Sequence, residues 1–186
     1  MSVIVIQYIS LDGIVSDPTG TEGTARGGWL FRYGRGPELA GDAFRIAPVL
    51  RQGVLLLGRR TWQGFAGLWP DRTGEFADVM NGARKLVASR TLTELPEWAN
   101  SDLLAGDPVE AVKRADRDVV VMGSLPLARE LAAADLVDEY RLITLPTVLG
   151  TGEPLFPPGG PYQELALLES EPIGHSLYTR YGRAAG

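Results

Sequence analysis

The chain predicts an α/β fold with a mixed sheet, and three observations carry that expectation. Apolar runs rich in Val and Leu stand at Val54-Leu55-Leu56-Leu57, Leu86-Val87-Ala88 and Val119-Val120-Val121-Met122. Such runs suit strands buried on both faces, which usually belong to parallel sheets covered by helices. Each run ends in a short polar sequence, Gly58-Arg59-Arg60-Thr61, Ser89-Arg90 and Gly123-Ser124, and in open sheets of this kind ligands collect outside the carboxyl ends of the strands. Near the C-terminus, Leu165 to Glu169 and His175 to Tyr181 read as further strands that could pair antiparallel.

Composition narrows the function. At 186 residues and 45% apolar content, the chain is expected to form one domain, residues 1–186, with a real core. A formal charge of -5 gives no general attraction to nucleic acid or anionic lipid, so the arginines above read as a local pocket and neither partner is expected. The absence of cysteine removes disulfides, thiolate metal sites and a Cys nucleophile, and fits a reducing compartment. His175 is the single histidine; it supports no His-based zinc site, has no partner pattern and reads as structural, so no metal is expected. Met1 leads directly into Val3-Ile4-Val5-Ile6 without a basic region or cleavage pattern, and no apolar run reaches membrane-spanning length. A cytoplasmic protein is the expectation.

The remaining elements follow along the chain. Residues 3–9 read as a first strand, turned out by Ser10-Leu11-Asp12-Gly13. Asp17 to Pro37 is rich in Gly, Thr and Pro yet carries Trp29, Phe31 and Tyr33, a long loop of the kind that often serves as a functional lid. Residues 38–51 look helical and Gly53 ends that pattern; Thr61 to Gly67 and Thr73 to Met80 give short helices around Leu68-Trp69-Pro70. A weak strand is expected at Asp102 to Leu104. Asp107-Pro108 then opens a helix, Asp as cap and Pro tolerated in the first turn. Ser124 reads as the N-cap of a helix from Leu125 to about Ala134, with Pro126 harmless near its start. A strand at Asp138 to Leu145 precedes a Gly- and Pro-dense loop from Pro146 to Pro161.

Chemistry concentrates at the three strand ends. Gly58 permits close approach to a ligand, Thr61 can cap the following helix, and that helix's N-terminus adds N–H groups and positive potential. Arg59 and Arg60 supply bidentate donors suited to phosphate. Ser89-Arg90 offers a hydroxyl and a guanidinium for a ribose 2′-phosphate, the group that separates NADP from NAD, and Gly123-Ser124 can set N–H groups against a pyrophosphate. Each motif alone also fits an ordinary solvated turn; their joint occurrence is what points to a phosphate-bearing cofactor. Neither Gly34-Arg35-Gly36 nor Gly150-Thr151-Gly152 completes a Rossmann turn, and no Walker lysine pattern is present. Glu38 and Asp42 lie four apart on the expected helix, where a carboxylate could hydrogen-bond a pteridine- or pyrimidine-like ring, or else simply be solvated.

With these segments in place the chain resembles the dihydrofolate reductase-like superfamily, specifically stand-alone proteins similar to the reductase domain of bacterial bifunctional riboflavin-biosynthesis deaminase-reductases. The resemblance rests on Tyr8-Ile9-Ser10-Leu11-Asp12-Gly13, Leu57-Gly58-Arg59-Arg60-Thr61-Trp62, Ser89-Arg90, Met122-Gly123-Ser124, Leu136-Val137-Asp138-Glu139, Pro146-Thr147-Val148-Leu149-Gly150 and Pro154-Leu155-Phe156. It implies a three-layer α/β/α fold with a mixed, mainly parallel central sheet, NADPH across the carboxyl ends of the strands, and often a homodimer, for which an apolar edge strand near 138–145 or 173–181 would serve. By position, Gly58, Arg59, Arg60, Thr61, Ser89, Arg90, Gly123 and Ser124 become cofactor contacts, and Asp12 lies beside the expected nicotinamide and substrate pocket, placed to orient substrate or relay a proton. Trp29, Phe31 and Trp62 would wall that pocket, with Glu38 and Asp42 as further substrate contacts. The implied activity is NADPH-dependent hydride transfer to a C=N or C=O bond of a small polar, heterocyclic substrate. Dihydrofolate reduction, ribosylamino-pyrimidine reduction and a non-catalytic NADPH-sensing dimer stand as alternatives.

Overall fold

Unbroken runs of Val, Ile and Leu form strands that are wet on neither face. In β1 (Val3–Ser10) every residue but Tyr8 is buried, and in β2 (Val54–Gly58) and β5 (Val119–Met122) the apolar residues before the terminal one are buried as well. The computed structural model, which describes residues 1–33, 39, 41–95 and 98–184, joins them with β3 (Arg84–Ala88), β4 (Ser101–Leu103), β6 (Glu139–Leu145), β7 (Leu165–Ile173) and β8 (Ser176–Arg183) into an eight-stranded sheet of order β4-β3-β2-β5-β1-β6-β8-β7. β2 runs parallel to β3 and β5, and β3 parallel to β4, whereas β8 is antiparallel to β6 and β7. The sheet is mixed and mainly parallel, as the sequence predicts. Its helices are α1 (Trp29–Tyr33), α2 (Ala47–Leu50), α3 (Arg59–Ala66), α4 (Glu75–Gly82), α5 (Pro108–Lys113) and α6 (Leu125–Ala133). Contacts gather into two compact units, Met1–Val5 with Arg45–Asp138, and Ile6–Phe44 with Glu139–Gly186.

In the first unit, register aligns the strand exits. Gly58 faces Ala88 across β2 and β3, and Leu56 faces Val121 across β2 and β5, so Gly58, Ser89 and Gly123 emerge along one sheet edge. α5 starts where expected, its Asp107 carboxylate accepting the Glu110 N–H at 3.0 Å. Behind β3, Lys85 is fully buried, and its ammonium donates to the carbonyls of Asn81 (3.1 Å), Ala83 (2.7 Å) and Ala99 (2.9 Å) while lying 4.4 Å from the Trp98 ring centroid. One side chain thereby joins the end of α4, the start of β3 and the approach to β4. Burial pushes its pKa down to about 8.

The second unit is held by charge and by a loop folded on its own carboxylate. On the β6–β8–β7 face, Arg141 and Arg180 are cross-strand partners, and like charges in that position repel. Glu139 lies between them, bonding Arg141 and reaching Arg180 at 3.2 Å, and Glu169 takes Arg180 from the other side at 3.5 Å. Arg141 also donates to the Phe44 carbonyl at 3.1 Å. Asp17, only 3% exposed, accepts the N–H of Glu22 (3.0 Å) and the N–H and hydroxyl of Thr24 (2.9 and 2.8 Å). Burial raises its pKa, but these bonds outweigh it and the carboxyl stays below its usual range. The expected open loop from Asp17 thus contains a turn system and α1.

One expected helix is largely absent. Among the described residues of 38–51, only Ala47–Leu50 is α-helical, because Gly41 (φ 68°) and Arg45 (φ 56°) adopt left-handed backbone. Asp42 therefore sits in an irregular segment rather than on a helix face, and Glu38 lies outside the described residues.

Lys85 makes stability depend on pH. Its ordinary pKa of 10.5 falls to about 8 in the fold, so between these values the unfolded chain binds the proton that the folded chain has released, and stability increases with pH. Urea unfolding between pH 8 and 10 should show that rise, below the range where Tyr8, raised to about 12 by burial, works in the opposite sense. Lys85→Met should remove the rise; an unaltered pH dependence in that variant would assign it elsewhere.

Candidate functional site

Where β2 and β5 leave the sheet, the chain interlocks. The Ser124 hydroxyl accepts the Gly58 N–H and lies 3.2 Å from the Thr61 hydroxyl, which in turn accepts the Ser124 N–H at 3.1 Å. Gly123 (φ 64°) and Ser124 (φ 46°) are both left-handed. A Cβ on Gly123 would stand 2.8 Å from Thr61 Cγ2, and one on Gly58 would stand 3.0 Å from Ser124 Oγ, so glycine is required by contact as well as by backbone at the former.

Two expectations are corrected here. Ser124 occupies the N-cap position of α6 but makes no capping bond; its left-handed backbone sends the hydroxyl across to β2. Thr61 does not cap α3 either, since Gly58 occupies that N-cap and Thr61 is the third helical residue. Its hydroxyl crosses to Ser124 at the start of α6. Both helices therefore begin without a side-chain cap, and first-turn N–H groups left in that state attract an anion.

The neighbouring strand exit adds more donors. Ser89 Oγ accepts the N–H of Thr91 (3.2 Å) and Leu92 (3.0 Å). A hydroxyl has two lone pairs; with both engaged, Ser89 can only donate to a ligand. Arg59 Nη1 donates to Thr91 Oγ1 at 2.8 Å, drawing the β2 exit towards the β3 exit. Arg59, Arg60 and Arg90 are all exposed, and none forms an ion pair among the described residues. Thr91 escaped the sequence reading, although Ser89-Arg90-Thr91 repeats the hydroxyl and guanidinium chemistry already noted one residue earlier. The donor set, free of carboxylates, fits the phosphates of a dinucleotide. Among the described residues no cluster of His, Asp or Glu could hold a metal ion.

Other expected site residues lie elsewhere. Trp62 is 1% exposed, its indole N–H on Ser101 Oγ at 3.0 Å; it fastens α3 to β4 and is core rather than pocket wall. In the second unit Trp29 is likewise 1% exposed and donates to the Ser16 carbonyl at 2.9 Å, while Phe31 is exposed and Asp42 half-buried. Asp12, also in that unit, accepts the Ser10 hydroxyl (2.6 Å) and the N–H groups of Leu149 (3.1 Å) and Gly150 (2.7 Å). The Ser10 bond lowers its pKa most, burial opposes it, and the bonds from Gly150 and Leu149 lower it further, so the carboxyl lies below its usual range. Such a carboxylate stays ionised at neutral pH, and its bonds make it a clamp on the 149–150 backbone.

The model of a protein family described as the RibD C-terminal domain matches residues 1–179. The uncharacterized protein YyaP of Bacillus subtilis (strain 168) is 33% identical over 114 residues, 55% of this chain and 58% of that protein, so the match spans little more than half of that relative. Among solved structures, a putative riboflavin biosynthesis protein from Shewanella sp. PV-4 is similar over 100% of both chains, with a TM-score of 0.75 and 24% identity. RibD of Acinetobacter baumannii gives a TM-score of 0.68 at 14% identity, over 98% of this chain and 58% of that one. A pyrimidine reductase-like protein from Corynebacterium diphtheriae gives 0.64 at 13% identity, over 100% and 92%. At these identities the structural likeness bears on the fold, which is the dihydrofolate reductase-like α/β fold expected from the sequence.

The interlock predicts an unequal cost of alanine at two left-handed glycines. Gly123→Ala should lose about 1–3 kcal/mol in urea unfolding, more than Gly106→Ala, which has φ 84° but nothing within 4 Å of its Cβ. Equal losses would mean that contact with Thr61 adds nothing.

Proposed function

The chain belongs to the RibD C-terminal domain family, a family of reductase domains, and from that premise we propose that it is an NADPH-dependent oxidoreductase. On this reading it delivers hydride to a C=N or C=O bond of a small polar heterocycle of pteridine or pyrimidine type. The observation that supports it most directly is the pair of uncapped helix starts, α3 and α6, tied together by Gly58, Thr61 and Ser124 and bordered by a donor-only Ser89 and three exposed arginines. When bound, the nicotinamide cofactor supplies the hydride. The N–H groups opening α3 and α6 hold its diphosphate, and Arg59, Arg90 and Ser89 take the 2′-phosphate. Asp12 holds the Leu149–Gly150 backbone in place, and the proton that accompanies hydride comes from another source.

Family membership favours one substrate in particular, the ribosylamino-pyrimidine of the riboflavin pathway. Dihydrofolate has less support, since Asp42 lies in an irregular segment rather than on a helix face. The strands expected at an edge, β6 over 138–145 and β8 over 173–181, instead lie inside the sheet, so we further propose a cytoplasmic homodimer built on the terminal strand β7, where Leu167 and Leu168 are 58% and 51% exposed. Among the described residues no helix is long and apolar enough to cross a membrane.

Calorimetric titration with NADPH and NADH tests the cofactor assignment. NADPH should bind more tightly, and Arg59→Ala with Arg90→Ala should weaken NADPH by about tenfold or more while changing NADH little. Equal binding of both cofactors, or none, would overturn the assignment. Binding without turnover on pyrimidine, pteridine, imine and carbonyl substrates would leave the sensing-dimer reading in its place. Asp12→Asn should lower thermal stability and leave the NADPH dissociation constant within about twofold; a large loss of NADPH affinity would give Asp12 a direct part in the site.

A further inference from the structure

The amino ends of the same parallel strands carry a second, unassigned feature. Register places Val54 beside Arg84 and Val119, and Leu56 beside Leu86, so these side chains share one face of the sheet. α5 covers that face with a single buried residue, Val112, while Ala111 and Ala115 oppose the strands with methyl groups only. The layer is left unfilled. Leu86, on an inner strand, is half-buried although its neighbour Val87 is fully buried, and a cavity of about 140 Å³ opens between Leu56, Leu86, Leu104, Ala111 and Val112.

Its mouth is charged, with Arg84, Arg117 and Asp116 all at its lining. Arg84 and Arg117 line this cavity and also a wider depression of about 550 Å³, which places both residues where the two hollows meet. Arg84 pairs with Asp102 at 3.6 Å and Arg117 with Asp116 at 3.2 Å, and Asp116, which also lines the cavity, lies within the field of both arginines. Exposed pairs of this kind contribute little, and a guanidinium has five N–H donors, so both retain capacity for an incoming anion. In the wider depression Arg51 pairs with Glu75 at 3.1 Å, and Asp78 also lines it; these carboxylates disfavour a second negative charge and limit the ligand to one.

An apolar cavity of about 150 Å³ takes up a molecule of benzene size. We propose that this hollow binds a small amphipathic monoanion: a hydrocarbon body of about six carbons beneath α5, with a carboxylate on Arg84 and Arg117. Its mouth, at Arg84 and Arg117, lies at the amino ends of β3 and β5, opposite the strand exits that form the cofactor cradle, and the proposal stands whether or not NADPH is the cofactor.

Benzoate is the probe, with acetate and benzyl alcohol as comparators that lack the body or the charge. Followed by amide NMR on the intact chain, benzoate should cause saturable shifts at Leu86, Leu104 and α5, and bind about tenfold more tightly than either comparator. Arg117→Gln should weaken benzoate by about fivefold or more without altering thermal stability. Ala111→Leu should fill the cavity and abolish the shifts, and Ala115→Val provides a second filling variant should leucine be too large. Absence of saturable shifts, equal binding of acetate, or benzoate binding unaltered by a folded filling variant would each overturn the proposal.

Discussion

The Ser124 hydroxyl governs how two parallel strands end. Two strands of a parallel sheet deliver their chains to the same edge, and something must set the spacing between the helices that follow. Here one oxygen takes the Gly58 N–H of β2 while its own residue starts α6, and Thr61 answers from α3. The energetic result is close to neutral. Each hydrogen bond contributes about 1 kcal/mol net, and a non-glycine residue in the left-handed region costs roughly 1–3 kcal/mol. What the arrangement secures is geometry: two helix starts kept free of their usual side-chain caps and fixed relative to each other. An active site can use that state, whereas a merely stable turn would have closed it.

Strands were legible wherever burial on both faces demanded an unbroken apolar run, as in β2 and β5. α5 was legible because its cap is local, with Asp107 and Glu110 three residues apart. Failures came where a distant partner outbid a local preference. Ser124 obeys the rule for a cap in sequence, yet its hydroxyl is claimed by a group 66 positions away. The segment before α2 has apolar residues that suit a helix, but Phe44 gives its carbonyl to Arg141, 97 positions away, and Arg45 turns left-handed behind it. Trp29 and Trp62 looked like pocket walls because large aromatics near Gly-rich motifs suggest binding; both instead have an indole acceptor inside the protein, which no local pattern announces.

The acidic residues teach a related lesson. Asp12 and Asp17 flank the first turn out of β1, and a carboxylate beside a strand exit invites a catalytic reading. In the fold each collects N–H groups from chain that would otherwise have no partner, Asp17 from its own loop and Asp12 from residues 137 and 138 positions later. Loops without regular structure still have to satisfy their backbone donors, and an ionised carboxylate accepting several of them does so efficiently. Arginines and helix N–H groups at the strand exits and carboxylates at the two clamps divide the charged work of the protein by sign.

Lys85 extends that division into the interior. With Lys113 it makes up the chain's entire complement of lysine, and it is the one of the two that the fold encloses, since the other pairs with Glu110 at the surface. A lysine-specific protease therefore meets one accessible cleavage site in the folded chain, and the bond after Lys85 opens to it only when α4, β3 and the approach to β4 come apart together. The protein carries its own reporter of cooperative opening, placed by the same three carbonyls that hold the ammonium in.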